Sequence, residues 1–282
     1  MKTSVAFALL LLAALSDAEA QTLGHTVIQC SGDAVADRDG DGLSDACETE
    51  LAYAFAPLLR VRTDGCNWDE DAGRLGGGYF YAVQPVDSVI RVAYMPAYFR
   101  DCGWSGWRCW LPFVDCSPHE GDSEFIVVEV VRAGTAAQWQ VNGIFLSAHC
   151  FGRSEASCRW YRGPELNEFA RAGRSPIVWV AEGRQANYPS WTTCDRGHYA
   201  LDRCNRHNAQ YYFPVSPDRN IGSRALPNFG DGCFRGSDLA TEYAQAAASE
   251  CYWTSDTRFR GWQLSGPGVT PYERYLREIA GF

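Results

Sequence analysis

The stretch 124-EFIVVEVV-131 decides how the rest of the chain is read. Side chains two apart on a strand share a face. One face therefore carries Ile126, Val128 and Val130 beyond Glu124, and the other carries Phe125, Val127, Glu129 and Val131. That pattern predicts a strand covered on both sides. Comparable runs occur at 79-YFYAV-83, 89-VIRVAYM-95, 138-QWQVNGIFLSA-148 and 177-IVWVA-181, separated by clusters of Gly, Pro and Asp. Helices punctuate them. One runs from Glu48 to Phe55 and stops before Pro57, and a second, over 164–172, is opened by Pro164. A third, over 238–250, is capped by Ser237, and a fourth, over 272–280, follows a Thr270/Glu273 capping box. Strands at this spacing with few helices predict a mainly β fold, a disulfide-rich antiparallel β-sandwich with a few peripheral helices.

The N-terminus divides the chain before the sandwich begins. Lys2, the apolar run Val5–Leu15 and Ala18-Glu19-Ala20 read as a signal peptide over residues 1–20. The apolar run is too short to span a bilayer, and no later segment is longer, so a secreted, extracellular chain without a transmembrane segment is expected. Residues 21–55 then form a small acidic loop and helix, and residues 56–282 the β-sandwich domain. The formal charge of −9 argues against a nucleic-acid partner, which would need a basic face to displace counterions. All twelve cysteines lie beyond residue 20. An even count in an exported chain reads as disulfides, with Cys30–Cys47, Cys150–Cys158, Cys194–Cys204 and Cys233–Cys251 the natural short loops. Zinc is the rival use of Cys109, Cys116 and His119, although the chain has no CxxC pair.

The most specific motif is 37-DRDGDGLSDACE-48. A calcium loop of the EF-hand type takes side-chain oxygens at positions 1, 3, 5, 9 and 12, a backbone carbonyl at 7 and Gly at 6. Asp37, Asp39, Asp41, Asp45 and Glu48, the Leu43 carbonyl and Gly42 occupy those places. An all-oxygen cage of this kind favours Ca2+ over softer metals. The loop resembles the calcium repeats of thrombospondin type 3 and dockerin modules, but as a single copy. Clamped by Cys30 and Cys47, it is expected to hold the N-terminus to the domain.

A second cluster, 119-HEGDSE-124, stands at the entrance to the opening strand. Two close carboxylates, Asp122 and Glu124, repel unless a cation or a proton joins them, and His119 sits in what reads as a turn between Pro118 and Gly121. A divalent ion held by these residues and a charged strand entry held by arginines are both open on spacing alone.

The order of further pieces adds a resemblance. H-x-G-D-x-E ahead of a β run is similar to the H-x-G-D-W-E signature of the vacuolar protein sorting-associated protein 62 family. More distantly it resembles the H-D-W-E centre of necrosis- and ethylene-inducing peptide-like toxins, secreted cation-binding β-sandwiches. Ser147-Ala148-His149, 177-IVWVAEGRQANYPS-190, 194-CDRGHYALDRC-204 and 220-NIGSRALPN-228 look like later segments of the first family, over roughly Ala56 to Trp262. The resemblance implies a cation held by His119, Asp122, Glu124 and His149. The chain departs from the pattern at Ser123, where the family has Trp, and at Gln185, where it has His. Gln185 can offer an oxygen but cannot act as a general base.

Other features take bland readings. Trp104, Trp107 and Trp110 lie in a cysteine-bounded loop and either pack on disulfides or form a platform for sugars or a membrane interface. His198 and His207 read as loop residues, and His25 is assigned nothing. No G-x-S-x-G, P-loop or GxGxxG context is present. The expected function is a secreted divalent-cation-binding β-sandwich that grips a glycan or lipid head group. It would use Ca2+ in the N-terminal loop and a second ion, Ca2+ or Mg2+, near His119. The alternative is a metal-dependent hydrolase of phosphoester or glycan bonds with His149 or His119 as proton carrier. A purely structural protein with two stabilising ions is the third reading.

Overall fold

In the computed structural model the described residues are 24–31, 36–37, 40–61, 79–96, 98–101, 119–122, 125–134, 137–148, 158–172, 175–182, 186–195, 202–204, 209–211, 215 and 220. Residues 1–20, the tryptophan loop at 102–113, Cys233, Cys251, His198, His207 and the helices expected at 238–250 and 272–280 lie outside them.

The elements in chain order are β1 (Gly24–Thr26), α1 (Asp45–Phe55), β2 (Leu58–Val61), β3 (Tyr79–Val86), β4 (Val89–Pro96), β5 (Tyr98–Asp101), β6 (His119–Asp122), β7 (Ile126–Arg132), β8 (Gln138–Leu146), β9 (Arg159–Arg162), β10 (Arg171–Ala172), β11 (Ser175–Val180), β12 (Asn187–Tyr188), α2 (Trp191–Asp195) and β13 (Ala209–Tyr211). A six-stranded sheet runs β1-β8-β7-β4-β3, with β9 also on β8. A five-stranded sheet runs β10-β11-β2-β13, with β12 also on β11, and β5 pairs with β6 alone.

Alternation along the strands builds the sandwich. From the six-stranded sheet Tyr81, Val83, Val92, Tyr94, Ile126, Val128, Val130, Ile144, Leu146 and Tyr161 point inward. They share one core with Leu59 and Val61 of β2 and Val178 and Val180 of β11. The predicted β-sandwich is therefore present, with a departure from the antiparallel expectation: β2 and β11 run parallel. These strands are far apart in sequence, so the chain can cross over through the other sheet before they meet, as parallel pairing requires.

Helix α1 closes the same core with Cys47, Leu51, Ala52 and Phe55. It begins a turn earlier than its sequence suggested, because the Ser44 hydroxyl accepts from Cys47 N (3.1 Å) as an N-cap. Tyr94 Oη donates to the Ala52 carbonyl at 2.9 Å, and Tyr81 Oη lies 3.1 Å from Thr49 Oγ1. Strand β1 pairs with β8, which sets His25 edge-on to Phe55 at 4.8 Å. That histidine, unassigned in the sequence, is part of the packing.

The helix expected over 164–172 is instead a short 3-10 turn at Gly163–Glu168. Phe169 is drawn into the core edge-on to Tyr161, and the chain turns straight into β10. Two expected disulfides, Cys30–Cys47 and Cys194–Cys204, are formed. Cys158 is also bridged, and Cys150 lies outside the described residues.

Candidate functional site

In the N-terminal loop Asp37 organises the turn. Its Oδ1 accepts from Gly40 N (2.7 Å) and Asp41 N (3.2 Å), and its Oδ2 accepts from Gly42 N (3.0 Å). Asp41 Oδ1 accepts from Leu43 N at 2.8 Å, and Asp45 N donates to the Ala36 carbonyl at 2.8 Å. Gly40 and Gly42 have φ of 75° and 94°, a conformation that a Cβ would strain. Gly42 thus takes the bend its place in the motif requires. Glu48 is fully buried on α1, and its Oε2 accepts from Asn220 Nδ2 at 2.8 Å. The last acidic position of the loop is thereby tied to the bridge between Asn220 and Tyr81. Asp39 lies outside the described residues. Among those described, no three His, Cys, Asp or Glu side chains gather as a metal would need them.

The segment holding His119 and Asp122 is strand β6 rather than the turn read from Pro118 and Gly121. Its backbone pairs with β5, Tyr98 opposite Asp122 and Asp101 opposite His119, with an irregularity where Arg100 faces both Glu120 and Gly121. This pairing, invisible to local spacing, is what extends the segment. Glu124, Ser123, His149 and Gln185 lie outside the described residues, but their neighbours do not.

Those neighbours meet at one junction. Phe125 N donates to Ser147 Oγ (2.7 Å), and Ser147 N returns a bond to the Phe125 carbonyl (3.1 Å). Asn187 N donates to the Ser147 carbonyl at 3.0 Å, and Asn187 Nδ2 to the Phe125 carbonyl at 3.4 Å. Behind these bonds Ala148, Ala181, Ala186, Tyr188, Cys194 and Cys204 pack as a small apolar cluster. The junction thus joins described residues of three stretches distant in sequence, at Phe125, Ser147 and Asn187.

The region behind the junction is braced by polar contacts that the sequence did not single out. Tyr188 Oη donates to the buried Asp202 carboxylate, Trp191 Nε1 to the Cys204 carbonyl (2.8 Å), and Glu182 N to the Arg203 carbonyl (2.8 Å). Ser190 Oγ accepts from Thr193 N at 3.2 Å and caps α2, to which the sequence had assigned no element. Asn187 itself, 1% exposed, was also missed. Its only sequence signal was its place between Ala186 and Tyr188.

The outer face of the six-stranded sheet carries a second buried polar group. Glu129 accepts from Arg91 Nε (3.0 Å), Asn142 Nδ2 (2.6 Å) and both terminal nitrogens of Arg162. Asn142 is the extra residue of a β-bulge against Glu129 and Val130, which aims its amide at the carboxylate. Gly143 lets Arg162 cross from β9, since a Cβ there would stand 3.2 Å from Trp160 and 3.3 Å from Arg162. Burial pushes the Glu129 pKa up, but the bonds from Arg162, Arg91 and Asn142 and the Arg162 charge outweigh it and hold the carboxyl below its ordinary value. The Arg91 and Arg162 guanidinium groups also lie over the Trp160 ring, at 5.3 and 4.5 Å, and the cluster holds four strands together.

No protein-family model matches the chain, so the family resemblance gains no support there. No curated protein matches it either. Among solved structures it is similar to one described as "Toxin fold for microbial attack and plant defense", at 14% identity over 78% of this chain and 98% of that one, with a TM-score of 0.38. It is also similar to NLPPya in complex with glucosamine, at 13% identity over 67% of this chain and 77% of that one, with a TM-score of 0.32. Superpositions this loose add no weight to fold or function.

Proposed function

We propose that this protein is a secreted, divalent-cation-dependent binding module. A cation held by His119, Asp122, Glu124 and His149 would order the surrounding loops so that they grip a glycan or lipid head group. The observation that supports the reading is the junction of Phe125, Ser147 and Asn187, because Phe125 follows Glu124 in the chain and Ser147 lies two residues before His149. Disulfides support an oxidising, extracellular setting, and no described helix is long and apolar enough to cross a membrane. A separate ion, Ca2+ in the 37–48 loop, has a structural role in this reading. The turn set by Asp37 and Gly42 and the Cys30–Cys47 clamp support it.

The test is binding of the full chain to a glycan panel and to liposomes, after chelation and again with Ca2+ or Mg2+ restored. Binding that disappears with chelator and returns with cation supports the reading. Absence of any binding with cation restored overturns it.

A further inference from the structure

Strand register carries one row of polar residues straight across the outer face of the six-stranded sheet. Gln84 of β3 stands opposite Arg91, Arg91 opposite Glu129, Glu129 opposite Gly143, and Gly143 opposite Arg162 of β9. At a strand spacing of about 4.8 Å the row spans roughly 19 Å. On one side of it Ala82, Ala93, Val127 and Phe145 are buried. On the other, Val86, Val89, Val131 and Gln140 are only half-buried, so the row opens to solvent there. Arg162 is its most accessible charge, with 42% of the side chain exposed. A guanidinium carries five N–H donors in a fixed fork geometry. The two terminal nitrogens of Arg162 each donate to Glu129, which leaves Nε–H and the terminal N–H beside it as a second fork that no described residue takes. Contact with the Trp160 ring at 4.5 Å holds that fork in place. The nearby Glu165 carboxylate does not fill it, being paired with Arg159 at 2.8 Å.

We propose that this row binds an acidic saccharide, with the carboxylate of a uronic acid seated on the second fork of Arg162. The site uses no cation and is independent of the cation-dependent reading above. A planar carboxylate matches a guanidinium fork with two parallel charge-assisted bonds. Beside it Asn142 spends Nδ2 on Glu129 and keeps its carboxamide oxygen, and Gln84 ends the row with a second amide. Such amides both donate and accept, as sugar hydroxyls require. The half-buried valines beyond the row offer apolar surface to the C–H groups of a sugar ring. An acidic peptide fits less well. Extended peptides dock by adding to a free strand edge, whereas β4, β7 and β8 each have a neighbouring strand on both sides. Only side chains are presented to a ligand on this face.

The experiment is calorimetric titration of the full chain, in chelator, with a galacturonate oligosaccharide, its methyl-esterified counterpart and an oligoglutamate peptide. The wild type is expected to bind the galacturonate and neither of the others. Arg162→Lys keeps a cation for Glu129 but removes the fork, and should weaken binding about tenfold. Gln84→Glu and Gln84→Lys change the charge at the end of the row without touching the bonds to Glu129. They should respectively weaken and tighten binding, each about threefold. No binding of the galacturonate by the wild type, or equal binding of the ester or the peptide, overturns the inference. Binding seen only when Ca2+ or Mg2+ is restored assigns the sugar to the cation-dependent site and overturns it too. If Arg162→Lys fails to fold, the Gln84 pair decides, and an affinity unchanged in both overturns the inference. Binding that persists in chelator supports it even where the cation-dependent reading fails.

Discussion

Asp37 gathers backbone N–H groups from three to five residues further along the chain, whereas the junction of Phe125, Ser147 and Asn187 joins residues 22 to 62 apart. The N-terminal loop is a local device. Its turn is set by short-range bonds, two glycines and a disulfide, and little chain must be ordered to close it. The junction exists only when β7, β8 and the β11–β12 hairpin are already in place. The two candidate ion sites should therefore fail separately.

Phe125→Ala is the most severe way to break that separation. Phe125 is fully buried and stacked on Phe145 at 5.5 Å. Its truncation should cost about 3–5 kcal/mol in urea unfolding and abolish the second cation in titration, while the loop keeps its calcium affinity. Simultaneous loss of both ions would show that the sites are one unit.

Removing the Cys30–Cys47 bridge by a double change to Ala tests the opposite side. The sequence separation is 17, which the loop-entropy model converts to about 3 kcal/mol. Calcium affinity of the loop should fall while the second cation binds as before.

Glu129→Gln lies on β7 near the junction but touches neither site. Replacing a carboxylate that accepts from Arg91, Asn142 and Arg162 should cost about 2 kcal/mol at neutral pH. Because the folded state lowers the Glu129 pKa, its stabilisation is complete above the ordinary glutamate range and is lost as the pH falls through the lower folded value. Urea midpoints measured on acidification should therefore fall less steeply in Glu129→Gln than in the wild type. Both ion affinities should be unchanged; a shift in the second would extend the junction along β7.

Ser44→Ala is the mildest change. It removes the N-cap of α1 and should cost about 1 kcal/mol, read as a small drop in melting temperature with calcium affinity slightly weakened.

The long strands were legible because each carried its own pattern: β3, β4, β7, β8 and β11 contain runs of Val, Ile, Phe, Tyr and Trp that need no partner to be recognised. β2, β9 and β12 were not, since four residues such as 58-LLRV-61, or the pair Asn187-Tyr188, become strands only by pairing with β11 or β8. The 164–172 segment misled for a related reason. Its helix signals are local, but burial of Phe169 and entry into β10 override them. Similarly, His119 read as part of a turn between Pro118 and Gly121 until β5 lay beside it.

By itself the sequence determined what depends on neighbours along the chain: the alternation that makes the long strands, the acidic loop with its Gly42 bend, and two short disulfide loops. Tertiary structure alone decided the parallel meeting of β2 with β11, the burial of Glu129 under two arginines, and the junction that binds Phe125, Ser147 and Asn187. The physical reason is separation. A side chain's own periodicity and turn chemistry are written locally, but a hydrogen bond between residues 62 apart has no local signature and forms only once the sheets have packed.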